Sequence, residues 1–386
     1  YSLDRVILEY GRRRITVIIN TTEKFVKRGE IAIYNEVKKE LKVKDGVMVE
    51  AYRREELKSK EYIREKINGF QLGEEELRSI VRDVMKKNLN DLELAAFITG
   101  LHIHGITIEE ATNLSKIMAE EGEQLRWKKK YVMDKHSLGG VPGDKTTLLV
   151  VPIIAASGLT IPKTSSRAIT SPAGTADRAE ILMPVSFSVE EIKKIVEKTN
   201  GCIVWGGALN MAPADDLFIR IEYPLDLDPL FMPSIMAKKK AAGSTHLVID
   251  LPTGRGTKVK TLGKARKLAN NFIKLGKRLG IFTKCAVTFG EEPIGYSIGS
   301  ALEAKEALEA IITQQPIDLV EKACSLAGIL LKMVGKGDKS TAYKILKSGK
   351  AEKKLREIIA TQGGNEKIQP EDIKIGNKTQ EIYAKE

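Results

Sequence analysis

The sequence predicts a chain that combines the α/β and α fold classes: a small N-terminal β-rich domain, a helical domain, and a larger α/β domain with a mixed sheet. Residues 1–57 contain runs of alternating apolar and polar side chains, and residues 58–124 have helical periodicity. After Trp127 the pattern becomes strand, glycine-containing loop and helix, which is typical of a sheet with ligand loops at the carboxyl ends of its strands. We therefore expect an active site in the cleft between the helical and the α/β domains.

The β-rich domain is predicted to occupy residues 1–57. Segments 14–20, 30–37 and 46–53 have the period-two alternation of strands, and the residues KDG at 44–46 are typical of a turn. Because the first strand signal comes abruptly, we expect this domain to be incomplete at its start.

The helical domain is predicted to combine residues 58–124 with a later segment, 211–241. The pairs Asn90–Glu93 and Thr107–Glu110 have the spacing of capping boxes, so each is expected to open a helix. Segment 211–241 interrupts the strand–helix alternation that surrounds it. We expect this segment to pack back onto the helical domain.

The α/β domain is predicted to comprise residues 128–210 and 242–386, and to be incomplete at its C-terminal end. Its helices include 146–157 and 188–199, and the second is expected to open with a capping box at Ser188 and Glu191 and to stop at Asn200 and Gly201. Its strands are predicted at 130–136, 159–164, 202–207, 245–254 and 283–290.

The charge balance of 63 Lys+Arg against 51 Asp+Glu gives a formal net charge of +12, which fits either nucleic acid or a small anionic substrate. Only 5% of residues are aromatic, and basic and aromatic residues are not interleaved, so we expect no nucleic-acid partner. The longest apolar run, 146–159, is interrupted by Pro152, Ser157 and Gly158, so no membrane partner is expected. With no leader pattern at the start, a cytoplasmic location is predicted.

The cysteines and histidines of the sequence do not have the spacing of metal ligands. Cys202, Cys285 and Cys324 are widely separated, and His102 and His104 are two positions apart, which places them on different faces of a helix. We therefore expect no metal site and no cofactor.

The segment DKHSLGGVPGDKTTLL at 134–149 has the composition of a phosphate loop. In the Walker loop of nucleotide hydrolases a glycine directly precedes the lysine, so that backbone amides and the ammonium converge on one phosphate chain. Here Asp144 lies between Gly143 and Lys145. The spacing therefore argues against an ATP-hydrolysing loop.

A second polar loop, KTSSRAITSPAGTAD at 163–177, follows the next predicted strand. Its hydroxyl side chains suit an oxyanion, and Arg167 is expected to supply a bidentate fork. Taken alone, the segment could equally be an ordinary Ser/Thr-rich loop. Two such loops after two strands of one sheet favour a phosphate site.

Four segments carry a resemblance to a known family: DKHSLGGVPGDKTT, KTSSRAITSPAGTAD, PSIMAKKKAAG and PIGYSIGSALEAKEAL, the last at 293–308. They resemble the thymidine phosphorylase family, the type II nucleoside phosphorylases, over residues 58 to 380. The second segment and the β-rich domain are similar to its archaeal AMP phosphorylase branch. The resemblance implies two domains that close over phosphate and a nucleotide, and a homodimer or higher homo-oligomer. It also implies the reaction AMP + phosphate → adenine + ribose 1,5-bisphosphate, with CMP and UMP as further substrates.

The resemblance also implies roles for individual residues. Asp228 is the expected proton donor to the leaving base, with Asp226 as its neighbour and competitor; the spacing from Asp228 to Ser234 is shorter than in the branch. His136 is expected to support the base, and Asp177 to orient its loop. The attacking phosphate is assigned to Lys135, Ser137, Thr147, Ser165 and Thr175. AMP is assigned to Gly140, Ser166, Arg167, Ala168, Ile169, Thr170, Ser171, Thr175, Ser234, Lys238 and Lys258.

Three other functions stay open at the level of sequence. The first is a pyrimidine nucleoside phosphorylase. The second is a phosphoribosyltransferase of the anthranilate type, for which Asp215 and Asp216 would be read as the site of a metal-bound diphosphate. The third is a basic nucleic-acid-binding protein.

Overall fold

The N-terminal part of the chain forms a three-stranded antiparallel sheet with one helix. The computed structural model describes residues 5–53, 57–168 and 172–383. The strands β1 (Arg5–Tyr10), β2 (Arg13–Ile18) and β3 (Glu50–Arg53) pair in the order β2-β1-β3. Of the strand segments predicted here, 46–53 contains β3. Segment 30–37 contains no strand among the described residues.

The expectation of a strand at 30–37 is wrong because the helix α1 (Asn35–Leu41) begins inside it. Its sequence, NEVKKEL, is rich in straight-chain residues that lose little side-chain freedom in a helix. Val37 and Leu41, four residues apart, lie on one face and pack into the small core with Leu8. Tertiary burial of that face outweighs the local alternation of apolar and polar residues.

The helical bundle contains α2 (Lys58–Ile67), α3 (Glu74–Met85), α4 (Asp91–His104) and α5 (Ile108–Glu120). Both predicted capping boxes are confirmed at the starts of α4 and α5. The second box also holds the bundle together, because Lys66 Nζ lies 2.8 Å from Glu110 Oε1 and both side chains are buried.

Two later helices, α9 (Pro213–Leu225) and α10 (Phe231–Ala241), pack against this bundle. Helix α9 contacts α4, where the rings of Phe97 and Phe218 lie 5.9 Å apart, and α10 contacts α5. One hydrophobic cluster joins these helices to the bundle. The polar side chains of α9 and α10 are thereby placed opposite the α/β part of the chain.

The α/β part contains two parallel sheets. Three strands, β4 (Met133–Ser137), β7 (His246–Thr253) and β8 (Phe282–Phe289), form one sheet in the order β4-β7-β8. The strands β5 (Ile161–Ser165) and β6 (Gly201–Trp205) form the second. Each predicted strand segment of this part overlaps one of these strands. In the described part of the domain every pairing is parallel, so the expected mixed sheet is wrong; crossover helices return the chain to the same end each time.

Helices cover β4, β5, β6 and β7, whose residues are mostly buried, whereas the edge strand β8 stays partly exposed. Helix α6 (Thr147–Ala156) is almost wholly buried, and the predicted box and stop of α8 (Val189–Thr199) are confirmed at Ser188 and Asn200. Within the described ranges no helix is long and apolar enough to cross a membrane. The other helices are α7 (Thr175–Glu180), α11 (Leu262–Leu279), α12 (Ser300–Thr313), α13 (Ile317–Met333), α14 (Lys339–Lys347) and α15 (Lys350–Thr361).

Candidate active site

A cavity of about 220 Å³ lies beyond the carboxyl ends of β4 and β5, between the two polar loops. The expectation that both loops follow strands of one sheet is wrong, because β4 and β5 belong to different sheets. The two segments meet because a parallel bridge between Val132 and Thr160 places the two strands side by side, pointing the same way. The predicted residues among its lining are Lys135, Ser137, Thr147, Ser166, Arg167, Thr175 and Lys258. The residues Ile169, Thr170 and Ser171 lie outside the described part of the chain.

Lys135 is a buried cation on the cavity wall. Its Nζ donates to Thr146 Oγ1 at 2.8 Å and lies 3.5 Å from Thr147 Oγ1 and 3.6 Å from Asp144 Oδ2. Burial lowers the pKa of Lys135, against the opposing effect of Asp144. Although burial acts to raise the pKa of Asp144, the charges of Lys135 and Lys322 hold it well below its usual range. Asp144 therefore balances the lysine that the sequence assigns to phosphate.

Lys145 points away from this cavity. Its Nζ donates to Ile294 O at 2.7 Å and Ser297 O at 3.0 Å, and it pairs with the buried Glu306. Gly143, with φ of +77°, makes room for the approach, because an added Cβ would lie 2.5 Å from Ile294 O. Lys145, which the sequence places near a Walker lysine position, therefore binds the backbone of segment 294–297 and not a nucleotide.

Asp177 orients the second loop, as predicted. Its Oδ2 accepts hydrogen bonds from the backbone N–H of Ala168 at 2.7 Å and of Gly174 at 2.9 Å. Burial acts to raise the pKa of Asp177, but these two bonds and Arg167 hold it below its ordinary value. The carboxylate therefore ties together two backbone segments of the loop.

Arg167 does not present a free fork to a phosphate, contrary to the sequence expectation. Its guanidinium donates to Glu180 through both terminal nitrogens, one at 2.8 Å, and to Asp177 at 3.1 Å. It also stacks over the Trp205 ring, 4.7 Å from the centroid. The bond to Glu180 raises the pKa of Arg167. Asp177 and Glu180, both on α7, bind the guanidinium because tertiary folding brings their carboxylates within reach.

The hydroxyls of the second loop differ in their surroundings. Ser165 Oγ is buried with no hydrogen-bond partner among the described residues, and Ser165 is not part of the cavity lining. Ser166 and Thr175 both line the cavity, Thr175 at the first position of α7. An unpaired buried hydroxyl is costly, so Ser165 has an unused capacity that a ligand or water can satisfy.

Gly140 permits a close approach between two loops. Its φ is +83°, and an added Cβ would lie 3.1 Å from Lys258 N and 3.2 Å from Thr257 Cα. The resemblance assigns this glycine to the AMP site. In the structure it lets the loop carrying Lys258 reach the cavity edge.

Asp228 faces Lys258 across the gap between the helical and the α/β parts, with Oδ2 3.9 Å from Lys258 Nζ. Burial raises the pKa of the Asp228 carboxyl, and Lys258 opposes that shift. The side chain is 57% exposed, so the burial is partial. The competitor Asp226 is the left-handed C-cap of α9, where its N–H bonds to Glu222 O and Tyr223 O.

Ser234 and Lys238 lie on one face of α10 and share a partner, Asp215. Ser234 Oγ donates to Asp215 Oδ2 at 2.8 Å, and Lys238 Nζ lies 2.7 Å from the same oxygen. Although burial acts to lower the pKa of Lys238, Asp215 raises it. The two side chains that the sequence assigns to the base are therefore held as a unit.

Buried basic groups accumulate behind the first loop. Burial, and then the charges of Lys239 and Lys163, hold the pKa of His136 well below its usual value, so the imidazole is neutral at pH 7. Burial also lowers the pKa of Lys163 strongly, with Lys239 adding to the shift. A neutral imidazole can accept as well as donate a hydrogen bond, which fits the supporting role expected of His136.

Arg178 joins the two loops and was not selected from the sequence. It donates to Asp144 O at 2.7 Å and to Ala173 O at 2.7 Å, and its Nε pairs with the buried Glu303. The signal that could have found it is an arginine in TADRAEILM, a segment composed mostly of small and apolar residues. Arg178 fixes the spacing between the loops that form the cavity.

Comparisons with known proteins identify the two larger parts of the chain. Residues 60–122 match the family described as "Glycosyl transferase family, helical bundle domain", and residues 129–352 match its "a/b domain". The fold is similar to an anthranilate phosphoribosyltransferase from Thermus thermophilus, with a TM-score of 0.67, 18% identity, and coverage of 78% of this chain and 99% of that one. At that identity the likeness concerns the fold alone.

Proteins named AMP phosphorylase are much more similar in sequence. The one from Thermofilum pendens is 52% identical, over 99% of this chain and 75% of its own length. That from Pyrococcus furiosus is 50% identical, over 99% and 77%. That from Methanocaldococcus jannaschii is 48% identical, over 100% and 78%. The chain therefore belongs to the AMP phosphorylase family, within the glycosyl transferase family of enzymes that transfer a pentosyl group, and it is a nucleoside phosphorylase.

Proposed function

We propose that this protein catalyses the phosphorolysis of nucleoside 5′-monophosphates: AMP and phosphate give adenine and ribose 1,5-bisphosphate, with CMP and UMP as further substrates. The observation that carries the proposal is the convergence of Lys135 with the hydroxyls of Ser137, Thr147 and Thr175 on one cavity. Relatives named AMP phosphorylase support the choice of nucleotide.

In this reaction an oxygen of phosphate forms a bond to C1′ while the C1′–N bond to the base breaks. The nucleophile is an anion, so catalysis needs donors that hold phosphate and aim one oxygen at C1′. Lys135 supplies a buried positive charge, and the hydroxyls of Ser137, Thr147, Ser165 and Thr175 would add neutral hydrogen bonds. The hydroxyls hold phosphate without adding further positive charge to that of Lys135.

The leaving base departs with the bonding electron pair and needs a proton. Asp228 is our candidate donor because its pKa is raised by burial, so the carboxyl keeps a proton to higher pH than an ordinary aspartate. Closure around a substrate would bury it further and strengthen the shift. Ser234 and Lys238 would hold the base, and Lys258 would contact the nucleotide from the other side of the cleft.

The 5′-phosphate of the nucleotide is assigned to the second loop. The proposed segment comprises Ser166, Arg167 and Ala168, which the structure describes, and Ile169, Thr170 and Ser171, which lie outside the described residues. Because the Arg167 guanidinium is engaged by Glu180, we assign its contribution to the backbone and to the shape of the loop. Gly140 would contribute by setting the approach of Lys258.

The organisation predicted from sequence also stays a proposal. It comprises a β-rich domain at 1–57, a helical domain at 58–124 with 211–241, and an α/β domain at 128–210 with 242–386. A separate small cluster around Leu8 and Leu41 supports the first of these domains, whereas two larger clusters include residues of both the helical and the α/β segments. We further propose a homodimer or higher homo-oligomer and a cytoplasmic location. Light scattering after gel filtration measures the oligomeric state.

The decisive experiment measures adenine release from AMP with and without phosphate. We expect release only with phosphate, and slower release from uridine or thymidine than from AMP. A preference for unphosphorylated nucleosides would establish the pyrimidine nucleoside phosphorylase alternative instead. Lys135→Ala should raise the KM for phosphate by roughly 10- to 100-fold, since it removes a charged hydrogen bond. Lys277→Ala, at an exposed lysine of α11, is the matched control.

The remaining alternatives predict different responses. A phosphoribosyltransferase with a metal-bound diphosphate would lose activity with a chelator, whereas phosphorolysis as proposed would not. Asp215, one half of the acidic pair, is buried and paired with Lys238, which disfavours the metal interpretation of that pair. A nucleic-acid-binding protein would bind RNA with a steep salt dependence and release no base.

A further inference from the structure

Asp250 is a buried carboxylate behind the first loop that the proposed reaction does not use directly. It lies on β7, opposite Ser137 of β4 in the parallel register, and it has no exposed surface. Ser137 Oγ donates to Asp250 Oδ2 at 2.9 Å, and Thr288 Oγ1 donates to Oδ1 at 2.6 Å. Lys322 Nζ lies 3.0 Å from Oδ2 and balances the charge.

This arrangement fixes the direction of the Ser137 hydrogen bond. A carboxylate can only accept, so the single hydroxyl proton of Ser137 is directed at Asp250. What Ser137 offers to the cavity is then a lone pair. The only N–H near it is that of Gly139, at the long distance of 3.5 Å, among the described contacts of this oxygen.

The rest of the cavity wall offers donors. Lys135 and Lys258 are cationic, and the hydroxyls of Thr147 and Thr175 can donate. Asp144 also lines the cavity, but its carboxylate is engaged by Lys135 and by the Thr146 hydroxyl. A tetrahedral oxyanion placed here would therefore meet donors on most sides and an enforced acceptor at Ser137. The acceptor is satisfied only by an anion that carries a hydrogen of its own.

We propose that Asp250 is a specificity-determining positioning residue: by holding Ser137 as an acceptor, it selects anions with an O–H group, and hence phosphate over sulfate. At neutral pH each inorganic phosphate species carries at least one P–OH, whereas sulfate is fully deprotonated. The two anions have the same tetrahedral shape, and sulfate and hydrogenphosphate have the same charge. Bound sulfate would place an oxygen lone pair against the lone pair of Ser137, with no hydrogen bond to offset desolvation.

The same contact would orient the nucleophile. With its P–OH directed at Ser137, phosphate presents its unprotonated oxygens to the other side of the cavity. One of these would attack C1′. This inference rests on the proposed function in so far as the cavity binds inorganic phosphate, but anion selectivity is measurable without turnover.

The test is calorimetric titration of the full chain with phosphate, arsenate and sulfate near pH 7. Arsenate is a larger oxyanion that, like phosphate, keeps an O–H group at this pH. We expect wild type to bind phosphate and arsenate similarly, and sulfate at least about 100-fold more weakly. Equal binding of phosphate and sulfate to wild type would overturn the proposal.

Three variants separate positioning from a merely structural role. Ser137→Ala should weaken phosphate binding by about 10-fold and leave sulfate binding unchanged. The selectivity ratio, which is the affinity for phosphate divided by the affinity for sulfate, should therefore fall. Asp250→Asn should narrow it by a similar factor, because the amide N–H can face Ser137 and release the hydroxyl to donate. Thr288→Val removes another donor from Asp250 without changing the cavity lining, so the ratio should stay at the wild-type value.

The set of variants keeps the proposal testable even when one of them misfolds. If Asp250→Asn does not fold, the comparison of Ser137→Ala with Thr288→Val still decides the question. A ratio that changes equally in these two variants, or in neither, contradicts the proposal. Failure of the proposed function would appear separately, as phosphate binding and selectivity without adenine release from AMP.

Discussion

Asp215 Oδ2 lies 2.7 Å from Lys238 Nζ, so that a fully buried carboxylate of α9 fixes the ammonium of α10. The same oxygen accepts the hydroxyl proton of Ser234, while Asp215 Oδ1 has no hydrogen-bond partner among the described residues. Ser234 is thereby turned into an acceptor and Lys238 into a donor towards the cleft. One buried acid sets the hydrogen-bonding character of both side chains assigned to the base.

Asp215→Asn should therefore weaken base binding. An amide keeps the shape but removes the charge that anchors Lys238, so we expect the KM for AMP to rise roughly 10-fold with the KM for phosphate unchanged. Steady-state kinetics with each substrate varied in turn measures this. Asp216→Asn, at the exposed neighbouring position, is the control. Equal effects of both variants on AMP and phosphate would contradict the assignment.

Asp228→Asn should reduce turnover by about 100- to 10,000-fold while AMP still binds, because it removes a proton donor. The raised pKa gives a direction for the pH profile: kcat of the wild type falls as pH rises through the Asp228 pKa, and the variant lacks that limb. Asp226→Asn is a suitable control, since asparagine tolerates the left-handed backbone with φ of 51°. Near-normal turnover of Asp228→Asn would remove it as the donor.

Lys145→Met should affect stability and not phosphate affinity. It would leave Glu306 buried without its cation, which costs about 3–5 kcal/mol. We expect a lower Tm, partly restored in Lys145→Met/Glu306→Gln, and a near-normal KM for phosphate at a temperature where the variant is folded. A raised phosphate KM at an unchanged Tm would instead support a Walker-like role.

Ionisation of Glu222 makes the free energy of unfolding depend on pH. It is buried, accepts a hydrogen bond from Leu230 N at 3.1 Å, and has its pKa raised by burial from 4.5 to about 7. Because the folded pKa lies above the unfolded one, Glu222 disfavours folding progressively as pH rises from 4.5 to 7, by up to about 3 kcal/mol. Glu222→Gln keeps an acceptor for Leu230 and removes the charge.

Thermal unfolding at two pH values checks this expectation. Glu222→Gln should have a higher Tm than the wild type at pH near 8 and no such gain near pH 4. The same difference at both values would show that ionisation of Glu222 is not the cause.

Local features of the sequence were sufficient where a few neighbouring residues decide the structure. The capping boxes at Asn90, Thr107 and Ser188 are confirmed because the side chain and the backbone it caps are three residues apart. Period-two alternation was less reliable: it located β2 and β3 but failed at 30–37, where packing of one helical face against the small sheet prevailed. The meeting of the loops after β4 and β5 was predicted, but for strands of a single sheet; in the structure the two strands belong to different sheets joined by one parallel bridge.

The sequence by itself determined that two polar loops follow strands of the α/β part of the chain, and that Asp144 breaks the Walker spacing. Only the tertiary structure decided what each charged group contacts. Lys135 and Lys145 belong to the same loop, yet one faces the cavity and the other bonds to a carbonyl 149 residues away. Arg167 likewise received Glu180 as its partner, and Ser137 received Asp250. Helix caps depend on bonds within one turn, whereas a buried charge takes whichever compensating group folding brings within about 3 Å.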